Sequence, residues 1–261
     1  PTVKARLTGY YTKFEDETDI SFYYSNGISF STGTDNSAFV QEILTGIDKQ
    51  HIGGEFGIEA QVTPTIKLKG VAAIGQNTYT NNPDLYLTSD DFDEELNLGK
   101  SYLKDYHVAG GPQQAYQFGF EYRDPDYWWI GATANYFSHG YVDISPIMRT
   151  RNFYSNSSGV VDPNYNEEVA RELLKQEQFD DYTLVNVVGG KSWKINDYYL
   201  GFFATINNVF DTKYKTGGYE QGRNANYESL LEDNNNPKKQ FGSRYWYGYG
   251  TTYYLNLYVR F

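Results

Sequence analysis

The stretch QAYQFGFEYR, residues 114–123, alternates without a break. Tyr116, Phe118, Phe120 and Tyr122 fall on one side, and Gln117, Gly119, Glu121 and Arg123 on the other. Strict period two over such a length marks a β-strand with two unlike faces. The pattern recurs along the chain. In HIGGEFGIEAQVT (51–63), Ile52, Phe56, Ile58, Ala60 and Val62 oppose Glu55, Gly57, Glu59 and Gln61. Further on, Ile66, Leu68, Ala72 and Ile74 oppose Lys67 and Lys69, and at the start Val3, Ala5, Leu7 and Tyr11 oppose Lys4, Arg6 and Thr8. The chain is expected to be all-β and antiparallel, with about ten strands bounded by turn formers. They are placed at 2–14, 18–30, 37–47, 50–63, 65–79, 112–123, 126–140, 181–194, 197–209 and 245–261.

Two architectures fit this alternation. A soluble sandwich buries the apolar faces. A transmembrane barrel turns them to lipid and its polar faces to a wet lumen. The connections separate the two. Pro64, Asp124-Pro125-Asp126 and Asn196-Asp197 are minimal turns, expected at one end together with a turn near Gly33. The long polar connections, about 80–111, 141–180 and 210–244, are expected at the other end. Loops beyond roughly 15 residues are uncommon in compact domains, whereas outer-membrane barrels pair short inner turns with long outer loops. The expectation is therefore an antiparallel transmembrane β-barrel.

The composition agrees. There are 27 tyrosines and an aromatic fraction of 18%, but a hydrophobic fraction of only 39%. Tyrosine, apolar in body and polar at the tip, suits a wall that is dry on one side and wet on the other. Tyr127-Trp128-Trp129, Tyr198-Tyr199 and the group Tyr245, Trp246, Tyr247 and Tyr249 lie near strand ends and read as interfacial girdles. Ordinary β-propensity of Tyr and Trp is the plainer account of the same clusters. A net charge of −11 argues against a nucleic-acid binder, and the absence of cysteine excludes disulfides and thiolate metal sites. No apolar run of roughly 18 residues offers a transmembrane helix. The first residues already read as a strand rather than a signal peptide. One helix is expected, Asn166 to Gln178, with Val169 and Leu173 on one face and Glu167 ahead of Arg171.

The segment LGFFATINNVFDTKY, residues 200–214, resembles the box that ends the penultimate barrel strand near the C-terminus of TonB-dependent outer-membrane receptors. It stands here as Ile206, Asn207, Asn208, Val209, Phe210, Asp211, Lys213 and Tyr214, followed by a long loop and a last strand ending on Phe261. The Tyr- and Asn-rich loop GGYEQGRNANY looks like receptors of the Bacteroidota branch. The resemblance implies a roughly 22-stranded barrel around a plug. This chain would be its C-terminal part, residues 1–261, without the plug or the earlier strands. It implies import of a scarce or large nutrient, such as a siderophore, glycan or peptide, driven by a TonB energy-coupling complex. Outer-membrane lipid and the barrel-assembly machinery are implied partners, and a surface lipoprotein is a further candidate. No cofactor is implied. The alternative is a self-contained ten-stranded outer-membrane barrel acting as a hydrolase or as an adhesion or structural protein, in which Pro1 would pair with the last strand.

Catalytic chemistry is not indicated. His51 is read beside a tight outer turn with Asp48, His107 in a loop with Asp105, and His139 stands apart. None sits in a metalloprotease, phosphate-loop or serine-elbow motif. The acidic loop 89–96, with Asp90, Asp91, Asp93, Glu94 and Glu95, has oxygen ligands for calcium but not the spacing of an EF-hand, and reads as solvated. Residues 231–240 read as a flexible tip. Glu55, Glu59, Lys67, Lys69, Glu121 and Arg123 are assigned to the lumen face. Substrate recognition is placed on Tyr219, Glu220, Arg223, Asn226, Tyr227 and Trp246, where aromatic, Arg and Asn side chains can stack on and hydrogen-bond a ligand. In the last strand Tyr253, Leu255, Leu257 and Val259 are assigned to lipid, and Tyr254, Asn256, Tyr258 and Arg260 to the lumen.

Overall fold

A computed structural model describes residues 2–29, 36–156 and 158–261. The chain begins with two very long strands, β1 (Val3–Asn26) and β2 (Ser37–Gln61), followed by β3 (Ile66–Tyr79). A small hairpin, β4 (Asp84–Thr88) and β5 (Leu96–Lys100), precedes β6 (Gln114–Arg123) and β7 (Trp128–Ser138). A 3₁₀ turn at Pro146–Arg149 leads into the short helices α1 (Arg151–Tyr154) and α2 (Glu167–Leu173). Then come β8 (Tyr182–Ile195), β9 (Tyr198–Asn207) and β10 (Lys215–Tyr219). Helix α3 (Tyr227–Asn235), β11 (Arg244–Tyr247) and β12 (Thr252–Arg260) complete it.

The sheet is antiparallel and single-layered. Its order runs β12-β9-β8-β7-β6-β3-β2, with β1 on the far side of β2. The β4–β5 hairpin joins β2 beyond the point where β3 has ended. Ten strands share this sheet, but not the ten expected. One strand, Val3–Asn26, stands where two were expected before the Gly33 turn, and one, Ser37–Gln61, where two were expected after it. The turns expected at 15–17 and 48–49 are bulges inside the β1–β2 ladder, between Phe14 and Thr18. Asp16 and Gly46 take left-handed backbone conformations there, which Asp and Gly tolerate best. The Asp48 carboxylate accepts from the Asp16 amide at 3.0 Å, and Asn81 bonds Asp48 and Gly46. His51 thus lies within a continuous strand and not beside a turn.

Losing two strands changes which way the early chain runs. The turn near Gly33 falls outside the described residues. Its flanking ends, Asn26 and Ser37, pair at the end of the sheet that carries the long loops, not with the short turns. Asn26 there bonds Arg223 and Ala225 of the last loop. Pro1 also lies outside the described residues, and among the described residues no ladder joins β1 to β12.

Register aligns the faces of all eight long strands. The row Leu7, Phe56, Ala72, Tyr116 and the row Phe118, Ala134, Val185 are directly paired neighbours. Leu257, Phe202 and Lys191 make another, and Leu255, Ala204 and Gly189 the next. Apart from Lys191, the rows named on this face are apolar or glycine, and the face is open: Leu7 is 79% exposed, Phe118 58% and Leu257 72%. On the opposite face Glu59 pairs with Lys69, and Glu121 lies opposite Lys67. Lys67 meets Glu59 at 3.2 Å, Lys69 meets Glu121 at 3.5 Å, and Arg123 closes the chain of charges on Glu121 at 2.7 Å. Glu55 shares this face further along β2. Tyr10 fills the wall near its middle, its hydroxyl lying across Gly53 and Gly75.

The packed core is elsewhere. Ala38, Val40, Leu44 and Ile47 of β2 pack with Leu85, Leu87, Leu98 and Leu103, and with Ile144, Ile147, Met148 and Phe153. Each of the two bulges adds one residue, so the polar face of the wall continues as the packed face of β1 and β2 beyond them. The segments expected as loops are therefore a folded outer module seated on the long ends of β1 and β2. Asn152, fully buried, clamps it: its amide donates to Gly27 and Ala225 carbonyls and accepts from Ser29. The acidic loop 89–96 is the tip of the β4–β5 hairpin. Helix α2 is shorter than expected because Gln176 leaves the helix to bond His107 and Val142. Residues 231–235, expected in a flexible tip, belong to α3. The last expected strand is also broken. Tyr245, Trp246 and Tyr247 sit in β11, which pairs with β10 as a separate ribbon, so they are not an end of β12.

Candidate functional site

A cavity of about 820 Å³ opens in the outer module. One wall is formed by β1 and β2 from the bulges outward, with Glu17, Asp19, Tyr23 and Tyr24 of β1 and Glu42 and Lys49 of β2 among the lining residues. Asp143–Pro146 and the Tyr219–Arg223 segment form another, and Tyr79, Phe241 and Trp246 complete it. Backbone bonds fix these walls to each other. Asp143 donates to the Gly218 carbonyl and accepts from the Glu220 amide, both at 2.8 Å, which sews the 143 segment to β10. The β10–β11 ribbon then sets Tyr219 and Trp246 side by side, with ring centres 5.6 Å apart. Tyr219 is 41% exposed and Trp246 57%, so both rings present open faces.

The charges are held individually. Arg149, buried beneath the cavity, grips Glu220 with both guanidinium NH₂ groups and also donates to the Leu174 and Ser145 carbonyls. Glu17 pairs with Lys49 at 3.1 Å. Glu42, only 4% exposed, accepts from the Tyr23 hydroxyl at 2.6 Å and from Ser21 at 3.3 Å. Burial pushes its carboxyl up to about 7, against the pull of those two donors. Burial and the neighbouring Glu42 raise the Tyr23 phenol in turn. Asp143 opens onto the cavity but is desolvated by the walls around it. That desolvation, then Asp19 and Glu220, raise its pKa, and Lys49 opposes them. The Arg223 guanidinium stacks over Tyr24 at 4.2 Å and Phe241 at 5.0 Å.

Of the six residues assigned to recognition, Tyr219, Glu220, Arg223 and Trp246 line this cavity. Asn226 caps α3 by accepting from the Ser229 amide, and Tyr227 is buried against Phe153 and Tyr165. The latter two shape the module rather than the cavity wall. Asp19, Glu42, Asp143 and Tyr79 line it without having been singled out. They come from four separate segments, and no spacing in the sequence links them.

The box residues knit the exit of β9 to the start of β12. Asn208 and Asp211 both adopt left-handed backbone conformations. Asn208 bonds Thr212 and the Tyr249 carbonyl, and Asp211 accepts from the Thr251 amide at 3.0 Å. Asn207 reaches Thr252, and Tyr214 stacks on Tyr182 at 4.4 Å. Phe210 and Phe261 are exposed. The histidines are dispersed. His51 meets Phe14 edge-on, His107 stacks on Tyr141 and bonds Gln113, and His139 bonds Ser138. Among the described residues, no group of three or more His, Asp or Glu side chains is placed to hold a metal ion.

No family model matches the sequence, and no curated relative matches it. Among solved structures, the chain is similar to one described as the copper transporter OprC, at 14% identity and a TM-score of 0.49. That likeness covers 98% of this chain and 28% of the other. It is also similar to a chain from the FpvAI–pyocin S2 complex, at 13% identity and a TM-score of 0.47, covering 99% of this chain and 25% of that one. The chain thus spans about a quarter of the length of either neighbour. Neither likeness carries an argument about ligand or partner.

Proposed function

We propose that this chain is the C-terminal part of the barrel of an outer-membrane receptor of the TonB-dependent class, of Bacteroidota type. Its eight long strands form wall, and its outer module captures a nutrient too large or too scarce to diffuse in. The carrying observation is the two-faced wall. One face is apolar and open across all eight strands, and the other bears a chain of paired charges. A sheet in water would cover such a face, because burying apolar surface is the main drive to fold. A sheet in lipid has no need to. The Asn207–Tyr214 box supports the class. The cavity between the wall and the β10–β11 ribbon is then the capture site, for a siderophore, glycan or peptide. Transfer inward would draw on a TonB complex, with no covalent step by these residues.

The test is fractionation of the full-length protein and uptake by cells that depend on it. The protein is expected in the outer membrane, extractable only with detergent, and heat-modifiable on gels. Trp246→Ala is expected to abolish nutrient uptake while surface display is kept. Isolation as a soluble monomer without detergent would overturn the reading.

A further inference from the structure

One cation on the cavity wall has its hydrogen-bond donors unmet, and that names a ligand chemistry; the inference rests on the cavity's reading as the capture site. Arg223 lines the cavity and makes no ion pair among the described residues. Its guanidinium lies over Tyr24 at 4.2 Å and Phe241 at 5.0 Å. A ring offers a cation its π-face but no lone pair, so these contacts hold the charge and leave its N–H groups unmet. Among the described residues none of those groups has an acceptor, and Nε is closed off from solvent as well. The backbone at this position is fixed. The Arg223 carbonyl accepts from the Asn26 amide at 2.7 Å, and the Ala225 amide donates to the Asn26 carbonyl at 2.9 Å. The Ser25 hydroxyl donates to the Gly222 carbonyl at 2.7 Å. Phe241 is held in turn, its amide donating to the Asp233 carboxylate at 3.1 Å.

A planar fork of N–H donors suits a carboxylate, which takes two parallel charge-assisted hydrogen bonds from it. The acids of the cavity wall do not fill that place. Glu17 is answered by Lys49, Glu220 by Arg149 and Glu42 by two hydroxyls. Asp19 and Asp143 are exposed, and neither comes within ion-pair distance of Arg223. Asp19 lies five residues from Tyr24 along β1, about 16 Å of strand and beyond the screening length of physiological salt. A neutral ligand would leave the guanidinium without a counter-charge, and a cation would leave the fork unmet. A doubly charged phosphate would bring a second charge into a cavity lined by more acids than bases. We propose that the cavity binds its ligand through a carboxylate, clasped by the Arg223 guanidinium beside Tyr24 and Phe241.

Three probes with one ring and different charge test this: benzoate, benzyl alcohol and benzylammonium, each titrated calorimetrically into the detergent-solubilised full-length protein. Benzoate is expected to bind most tightly, and benzyl alcohol about tenfold more weakly or worse, as fits loss of a charge-assisted pair. Arg223→Gln should weaken benzoate about tenfold and leave benzyl alcohol unchanged. Arg223→Lys keeps the charge but not the fork, so it should recover only part of the benzoate affinity. That conservative variant also keeps the test open should Arg223→Gln fold poorly. Asp19→Asn should leave benzoate binding no weaker. Another probe binding as tightly as benzoate, no binding of benzoate, or full benzoate affinity in either Arg223 variant would each overturn the assignment. If another probe binds in place of benzoate and is lost with Trp246→Ala, the carboxylate assignment falls while the capture site stands. If benzoate binding follows Arg223 but nutrient uptake survives both Arg223→Gln and Trp246→Ala, the capture reading falls instead.

Discussion

Arg149 and Glu220 form a buried two-pronged ion pair that joins the 3₁₀ turn at Pro146–Arg149 to the end of β10. The Arg149 side chain is 2% exposed and that of Glu220 12%. The pair also holds the cavity in shape, because Glu220 accepts from the Ser145 amide at 2.9 Å and the Arg149 guanidinium stacks over Tyr106. Taking away one partner of such a pair leaves a buried charge without its counter-charge, at a cost of about 3–5 kcal/mol. Arg149→Ala is therefore expected to loosen the outer module and leave the wall assembled. Limited proteolysis checks this: new cleavage within residues 220–244, with heat-modifiability retained. Glu220→Gln should be milder, since Arg149 keeps the Leu174 and Ser145 carbonyls.

Glu42 is expected to make the outer module sensitive to pH. Its carboxyl is raised to about 7 by burial, from an ordinary value of 4.5. Between those values the folded form holds a proton that the unfolded form has released. Stability conferred by that proton is full below about pH 4.5, declines as pH rises through 7, and is flat above. The whole shift corresponds to something on the order of 3 kcal/mol. Glu42→Gln is expected to flatten this part of the stability–pH curve, measured by denaturant unfolding at several pH values. A variant whose curve still falls between pH 5 and 7 as in the parent would place the titration elsewhere.

The faces of the wall were legible in the sequence because period two survives in every long strand. The six residues assigned to the lumen side all lie on the polar face. The bulges were not legible, since Asp16, Gly46 and Asp48 are the residues that also make turns, and only the ladder on both sides tells the two apart. Reading two bulges as turns moved the Gly33 connection to the wrong end. The outer module was hidden for another reason. Leu85 and Leu87 alternate on one side of the acidic tip, and Leu96 and Leu98 on the other, which is a hairpin signal inside a stretch whose polarity reads as loop. For the cavity, the aromatic and Arg residues of one loop drew notice, while Asp19, Glu42 and Asp143 became neighbours only through folding.

The middle of the wall depends on space left by glycine. A side chain at Gly75 would bring a carbon to 2.5 Å from the Tyr10 hydroxyl, with backbone oxygens no closer than 3.4 Å. At Gly53 the added carbon would meet both Tyr10 and the Ile74 carbonyl oxygen, the latter at 2.6 Å. Gly75→Ala and Gly53→Ala are both expected to destabilise by about 1–3 kcal/mol, as overpacking does. Adding Tyr10→Ala should rescue Gly75→Ala but not Gly53→Ala, because a carbonyl in the ladder cannot move aside. Folded fraction on unheated gels reads the difference.

The two faces of β6 give the sharpest test of the wall itself. Phe118 lies on the open apolar face, between Gly70 and Ala134, and Gln117 on the opposite face, beside Val71 and Asn135. Neighbours in sequence, they differ only in which way they point. An arginine on the lipid side at mid-depth costs about 2–4 kcal/mol, while a lumen position tolerates it. Phe118→Arg is therefore expected to lower the folded, membrane-inserted fraction, and Gln117→Arg to leave it near that of the parent. In a water-soluble sheet the order would change, since an exposed Phe replaced by Arg would cost little or even stabilise. Insertion of both variants into preformed liposomes, followed by protease protection, decides between the two environments. Equal insertion of both would mean that the apolar face does not meet lipid.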